Sequence, residues 1–266
     1  MSSAYIDLSF SQVALAAALI LVNAAISMGL SLGMERRLLV AATRTVVQLA
    51  LIGLVLDWVF AVRSPWIVVS LMAVMALVAG VAAVRRTDRR YRGIWLNSVG
   101  SIFASSWLVT GVALVAIVRV RPWYDPQYAI PLLGMVLGNT LNGISLGLDR
   151  LTEELSARRD RVDALLALGA TRWEAAQEPV RRSVRTGMIP IINSMMIVGI
   201  VSIPGMMTGQ LLAGVDPLNA VEYQIVIMFL IASGTALGTV GVVLLGYLRL
   251  FNERHQFLFQ RISGRV

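Results

Sequence analysis

The sequence predicts an all-α polytopic membrane protein with about seven transmembrane helices, its N-terminus outside the cell and its C-terminus in the cytosol. The chain of 266 residues is 57% hydrophobic and has a mean hydropathy of +0.75. Only 14% of the residues are charged, and these form short blocks between long uncharged runs. Because such runs are too long for the strands of a membrane barrel, we expect helical spans in a single transmembrane domain covering residues 1–266.

The first three spans are expected within residues 8–84. Residues 8–34 are uncharged and form the first span, which we expect to be retained because Asp7, and no Arg, precedes it. The second span has the weakest signal, since only residues 45–56 are uncharged before Asp57. A third span is expected from residue 64 to residue 84.

Four further spans are expected at residues 93–118, 127–148, within 186–215, and at 223–248. The span at 127–148 contains two pairs of glycines at GxxxG spacing, Gly134 with Gly138 and Gly143 with Gly147. Small residues at this spacing allow helix backbones to approach closely.

The arginines orient the chain in the membrane. Four segments hold nearly all of the 23 basic residues, every one of them Arg: the loops at 34–44, 85–92 and 149–185, and the tail at 249–265. The alternate loops hold only Arg63, Arg119 and Arg121. Because cytosolic loops carry the excess of positive charge, the four Arg-rich segments are expected in the cytosol.

The longest of these loops, at about 149–185, is expected to form a cytosolic helical hairpin. Gly169 suits a helix C-cap, and Thr171 with Glu174 has the spacing of a capping box that begins a second helix. The alternative is an ordinary solvated loop, but a connection this long with strong helix signals is usually functional.

The uncharged segment at 186–215 is expected to be a broken helix. Pro204 removes a backbone hydrogen bond and Gly205 loosens the next turn, so backbone carbonyls there can face a cavity. Such a break can supply both ligands and a hinge for transport. A kink that serves packing alone is the alternative.

Polar side chains at mid-membrane depth are candidates for lining a path. These are Gln48, Asn139, Asn142, Asn193 and Gln210. Hydrogen bonding between helices is the alternative role for each of them. Several methionines also cluster near the last two spans, and core packing is the better explanation for them: Met188, Met195, Met196, Met206, Met207 and Met228.

Several function classes are disfavoured by composition. Without Lys, the chain has no phosphate-binding P-loop lysine, and without Cys it has no thiolate chemistry. The only His, His255, falls in the tail, and no carboxylate is expected inside the membrane, so we expect no metal site and no cofactor on this chain. Basic blocks that flank apolar segments indicate membrane orientation rather than nucleic-acid binding. No constellation of an intramembrane enzyme is present.

Residues 163–173 resemble the EAA loop of ABC importer permeases, whose coupling helix sits in a groove of the ATPase subunit. Asp163 stands for the usual Glu of that motif and Leu165 for its second Ala. The resemblance implies an ATPase-coupling site formed by Asp163, Gly169, Ala170, Thr171, Arg172 and Trp173.

Residues 199–214, followed by Pro217, Ala220 and 223–228, are similar to the signature of FetB-like permeases. These are bacterial ABC subunits implicated in iron export, with plant relatives linked to aluminium tolerance. The resemblance implies a permease of the inner (plasma) membrane that works as a homodimer with a separate ATPase, on which ATP and Mg²⁺ bind. The polar side chains at membrane depth and the broken segment together give the predicted substrate path, which consists of Gln48, Asn139, Asn142, Asn193, Pro204, Gly205, Met206, Met207, Thr208 and Gln210. An importer permease and a passive channel are the alternatives.

Overall fold

The computed structural model of the protein describes residues 9–264. Asp7 and Arg265, which figure in the sequence predictions above, lie outside the described residues. The helices are α1 (Phe10–Gly29), α2 (Glu35–Val62), α3 (Pro65–Arg85), α4 (Ile94–Val112), α5 (Pro126–Ala157), α6 (Arg159–Ala167), α7 (Arg172–Ile197), α8 (Gly205–Leu212) and α9 (Pro217–Leu250). A π-helical turn (Ala113–Ile117) extends α4, a 3₁₀ turn (Phe259–Arg261) lies in the tail, and β1 (Arg89–Tyr91) pairs antiparallel with β2 (Ile262–Gly264).

The prediction of an all-α polytopic membrane protein is confirmed. Within residues 9–264, six helices are long and apolar enough to cross a membrane: α1, α2, α3, α4 with its π turn, α5 and α9. The predicted sixth span at 186–215 is instead divided among the second half of α7, an irregular segment at 198–204, and α8. The helix α7 is not one of the six because its first half carries the arginines of the predicted hairpin, which makes it too charged to count as an apolar span.

The chain divides into two compact units, and the first contains α1, α2 and residues 212–215. The predicted loop at 34–44 is wrong, since α2 begins at Glu35 and carries its arginines on its first turns. The turn between α1 and α2 is held by Ser27, which is buried. Its hydroxyl donates to Glu35 Oε2 at 3.2 Å and accepts from the Met34 N–H at 3.0 Å. The short turn is therefore fixed by side-chain hydrogen bonds, which leaves the charged residues free to continue as helix.

The second unit comprises residues 64–211 and 216–264, and α5 packs against α3, α4, α7 and α9 within it. Glycines permit the closest contacts of α5 with α7 and α9. A Cβ on Gly187 of α7 would lie 2.6 Å from the carbonyl oxygen of Gly143, and one on Gly238 of α9 would lie 2.4 Å from Thr140 Cγ2. By contrast, a Cβ on Gly138 would meet nothing within 4 Å. Of the two predicted pairs in α5, the one beginning at Gly143 therefore forms the helix contact.

Candidate functional site

The tip of the basic hairpin has the local structure that the sequence predicts. After α6, Gly169 adopts a left-handed conformation with φ of +91°, which only glycine adopts without strain. The Thr171 hydroxyl accepts from the Glu174 N–H at 3.3 Å, and Glu174 Oε2 accepts from the Thr171 N–H at 2.7 Å. The predicted capping box is thus confirmed, and it starts α7 immediately after the turn.

The first arm of the hairpin differs from the prediction, because α5 does not stop at residue 148 but continues to Ala157. Glu154 explains this extension. It is only 5% exposed and forms ion pairs with Arg150 of the same helix at 2.5 Å and with Arg158, the residue directly after that helix, at 2.9 Å. Arg182 of α7 approaches the same carboxylate at 3.8 Å. One buried carboxylate therefore ties the two arms of the hairpin together.

Arg182 also pairs with Glu178 one turn earlier in α7. Its Nε donates to Glu178 Oε1 at 2.6 Å. This hydrogen bond lowers the pKa of Glu178 and raises the pKa of Arg182. Both groups consequently keep their charges over the physiological pH range.

The tip of the hairpin packs on the C-terminal tail. The N–H of Arg172, which is unpaired within its own helix, donates to His255 Nδ1 at 2.9 Å. Trp173 contacts Tyr247 of α9 edge to face with 5.5 Å between ring centroids. Tyr247 in turn contacts Phe251, also at 5.5 Å. The start of α7 is therefore attached to the end of α9.

Part of the tip is exposed on the surface of the chain. Leu168 is 85% exposed and Trp173 is 41% exposed, although both are large apolar side chains. Asp163 is also exposed and pairs with Arg159 at 3.4 Å. Ala170 is half-buried. Large apolar side chains left exposed at the tip of a hairpin are typical of a surface that binds another protein.

From this tip, α7 runs without interruption to Ile197. Its 26 residues make it about 39 Å long. Pro179 and Pro190 lie inside it, and each removes one backbone hydrogen bond. A single helix thus connects the capping box at Thr171 with the start of the broken segment.

The break in this segment lies upstream of its predicted position. The helix ends at Ile197, and Gly199 follows with φ of +82° and donates its N–H to the Ser202 carbonyl at 2.9 Å. Pro204 does not break a helix but begins one, because its carbonyl accepts the Thr208 N–H of α8 at 3.0 Å. A proline is well tolerated at a helix start, where no N–H is needed.

A cavity of about 440 Å³ lies beside the break. Its walls come from α5, α7, the irregular segment, α8 and α9. Ile191 and Ser194 of α7 line it directly after Pro190, and Val198, the residue that follows α7, continues this wall. The continuous helix that begins at the hairpin tip therefore ends in the wall of this cavity.

The polar groups in the cavity come from α5 and α9. Asn139 lines it from α5, and its amide nitrogen donates to the Met135 carbonyl at 3.0 Å. Gln224 lines it from α9 and is only 6% exposed, yet its Oε1 has no hydrogen-bond partner among the described residues. A buried amide oxygen without a partner is costly unless a ligand or water completes it.

A second cavity of about 420 Å³ adjoins the first. Val198, Gln224 and Met228 line both, and Met195 and Met207 line the second alone. The two cavities therefore share a wall at the end of α7 and along one face of α9.

The structure brings together only part of the predicted substrate path. Asn139, Pro204, Gly205 and Met206 line the first cavity, and Met207 lines the second. The remaining predicted residues line neither cavity. The Thr208 hydroxyl donates to the Pro204 carbonyl, and Gln210 is half-buried with an Oε1 that has no partner among the described residues. Asn142 accepts a hydrogen bond from Arg86 at 2.6 Å, Asn193 is exposed on α7, and Gln48 belongs to the other unit, where its amide lies 3.0 Å from Arg44.

Nine of the thirteen residues that line the first cavity were not among the predicted path residues, and Met135, Ser194 and Gln224 are three of them. A signal for Gln224 exists in the sequence, since Gln224, Met228 and Ile231 follow one helical face. Ser194 and Met135 carry no comparable signal, because their part in the site depends on how α7 and α5 pack. Within residues 9–264, no group of three or more His, Cys, Asp or Glu side chains could hold a metal ion.

The fold and the cavity define a polytopic α-helical membrane protein with a polar pocket beside a broken helix. The chain belongs to the family described as "Uncharacterised protein family (UPF0014)", whose model matches residues 10–251.

Relatives in bacteria and plants cover most of the chain. It is 42% identical to "UPF0014 membrane protein slr1647" of Synechocystis sp., over 85% of this chain and 88% of that protein. It is 31% identical to "Probable iron export permease protein FetB" of Escherichia coli, over 95% of this chain and 96% of that protein. It is 36% identical to "UPF0014 membrane protein STAR2" of Oryza sativa subsp. japonica, over 85% of this chain and 78% of that protein. No solved structure matches the chain.

Proposed function

We propose that this chain is the membrane subunit of an ABC transporter, which pairs with a separate ATPase to export a metal, such as iron, or a small polar solute. Two copies of the chain form the permease, in the inner (plasma) membrane. The ATPase docks at the hairpin tip, around Gly169 and Trp173, and the cargo passes through the cavity beside the break. ATP and Mg²⁺ bind to the ATPase, and this chain performs no catalysis.

The observation that carries the proposal is the continuity of α7. Its first residue, Arg172, belongs to an exposed tip, and its last turns line the cavity. A rigid helix transmits a displacement at one end to the other, whereas a flexible loop absorbs it. A push on the tip therefore reaches Ser194 and Val198, and the irregular segment after Ile197 can change shape in response.

The position of the Arg-rich segments supports a cytosolic tip. The hairpin contacts the tail through His255, and the tail pairs through β2 with β1 of the 85–92 loop. Three Arg-rich segments of the second unit thus meet at one end of its helices. Since positive loops remain in the cytosol, this is the end that an ATPase could reach.

Composition and relatives support an external energy source and a metal cargo. The chain has no Lys for a P-loop, so ATP hydrolysis is assigned to another protein. A relative that covers nearly the whole chain carries the words "iron export permease" in its name. That name favours export over import, although the EAA-like tip is also compatible with an importer.

The test is reconstitution in liposomes with the co-purifying ATPase facing outward. We expect ATP-dependent accumulation of ferrous iron or another cargo in the vesicle lumen, which corresponds to export from a cell. ATP-driven loss from preloaded vesicles would instead identify an importer. Flux that is equal with and without ATP would identify a channel and refute the proposal.

The coupling surface is tested with Leu168→Ala. Because exposed apolar side chains at the centre of an interface often contribute about 1–2 kcal/mol, we expect roughly tenfold weaker ATPase binding. The matched control is Leu218→Ala, since Leu218 is 75% exposed but lies on the first turn of α9, far along that helix from Tyr247. Equal binding by the two variants would contradict the placement of the docking site.

A further inference from the structure

Three of the thirteen residues that line the cavity beside the break are methionines. Met135 of α5, Met206 of α8 and Met228 of α9 all line it, and all three are half-buried. They come from three separate elements, so their presence around one cavity is a product of the tertiary fold rather than of one helix face. Side chains that line an open space can contact a ligand there in addition to packing against their neighbours.

The rest of the lining is polar but uncharged. No Asp, Glu, His or Arg borders the cavity. Gln224 Oε1 is buried without a partner, and the Asn139 amide nitrogen is already bonded to the Met135 carbonyl. The cavity therefore offers thioether sulfurs and carbonyl oxygens, and no group that neutralises a multivalent ion.

We propose that this cavity binds a soft univalent cation, Cu(I) or its redox-inert analogue Ag(I), through the thioethers of Met135, Met206 and Met228. Thioethers select soft ions, whereas ferric, ferrous and aluminium ions favour carboxylate or imidazole ligands. The low charge of a univalent ion reduces the cost of entering an apolar membrane site. The unpartnered side-chain carbonyl of Gln224 can supply partial negative charge without adding a formal charge. The inference rests on the proposed function in that it takes this cavity as the cargo site.

The second cavity extends the same chemistry. Met195 and Met207 line it, and Met228 borders both cavities. A cation held by Met228 can therefore exchange one set of thioether partners for another without passing through bare hydrocarbon. Exchange of ligands along a row of weak donors permits release, which a transport path requires.

The proposal is tested on the full chain in lipid nanodiscs, without the ATPase. Silver nitrate is titrated in chloride-free buffer, and the methionine methyl groups are followed by ¹³C NMR. We expect one strong equivalent of Ag(I) per chain, with the methyl signals of Met135, Met206 and Met228 shifting together. Leucine is the matched substitution, because it conserves volume while removing sulfur.

The triple variant M135L/M206L/M228L is expected to bind Ag(I) at least tenfold more weakly. The control Met196→Leu is expected to bind as the original chain does, since Met196 is 71% exposed and lines neither cavity. A hundredfold excess of ferrous iron is expected to leave the shifted signals in place. Unchanged Ag(I) affinity in the triple variant, or displacement by ferrous iron, would overturn the proposal. Since the ATPase is absent, neither result bears on ATP coupling.

Discussion

The substitution Gly187→Ala tests how tightly α7 is held against α5. A Cβ at this position would lie 2.6 Å from the Gly143 carbonyl oxygen and 2.6 Å from Thr239 Cγ2. Carbon and carbonyl oxygen ordinarily approach to about 3.3–3.6 Å, so the two helices would have to separate by roughly 0.7–1.0 Å. The oxygen belongs to the backbone and cannot rotate away. Overpacking of this kind costs about 1–3 kcal/mol.

The assay is thermal unfolding of the purified chain in detergent, with Gly138→Ala as the control. Gly138 lies on α5 but has open space around it, so alanine there is expected to be neutral or to stabilise by about 0.5–1 kcal/mol through helix propensity. We expect Gly187→Ala to unfold at a clearly lower temperature than either the original chain or the control. Equal stability of the two alanine variants would refute the assigned helix contact.

Two further predictions concern the hairpin. Glu154→Gln is expected to lower the free energy of unfolding by about 2 kcal/mol, which is less than for a fully buried ion pair because the Arg partners remain partly exposed. The control is Glu153→Gln, since the Glu153 side chain is 57% exposed, and it should change the free energy of unfolding by less than about 0.5 kcal/mol. Both values are measured by denaturant titration. Thr171→Ala removes the capping box and is expected to destabilise the chain by about 1 kcal/mol. Hydrogen bonds from the Thr171 N–H and hydroxyl lower the pKa of Glu174, so the ionised form stabilises the folded state at neutral pH and this contribution is lost as pH falls through the lowered pKa. The difference between the original chain and Thr171→Ala should therefore narrow in acid, and a constant difference from pH 7 to pH 3 would contradict the role of Glu174.

Local features of the hairpin were predictable because they depend on neighbours in sequence. The capping box needs only Thr171 and Glu174, three residues apart, and the left-handed turn needs only Gly169. Both are confirmed at atomic detail. The buried Glu154 is different, since its burial requires Arg182 from another helix to lie nearby.

The segment after α7 shows why a proline alone does not determine where a helix ends. Pro204 was predicted to interrupt a helix, but it starts α8, and the helix before it ends at Ile197. Pro190 by contrast remains inside α7. Proline lacks an N–H and is therefore compatible with a helix start, and tertiary packing decides which prolines lie at ends.

The cavity could be predicted only in part. Asn139 was expected in the path as a polar side chain at membrane depth, and Met206 was expected there as part of the predicted break. The same reasoning selected Asn142, which instead bonds to the exposed Arg86. Whether a polar residue of α5 lines the cavity depends on how α5 is rotated about its axis relative to α7 and α9. The close contact between Gly143 and Gly187 helps to set that rotation, and it cannot be read from a single sequence.

The glycine contact and the proposed transmission of force concern the same helix, which gives Gly187→Ala a second readout. Gly187 lies in α7 between the capping box at Thr171 and the cavity residue Ser194. If α7 moves as a rod, an added methyl group at its contact with α5 hinders that motion, and ATP-driven transport should fall even at temperatures where the variant is fully folded. ATPase binding should be unaffected, because the tip is unchanged. A folded Gly187→Ala variant that transports at the original rate would show that α7 does not move against α5 during the cycle, and the signal from the tip would then have to travel through Trp173 and Tyr247 into α9 instead.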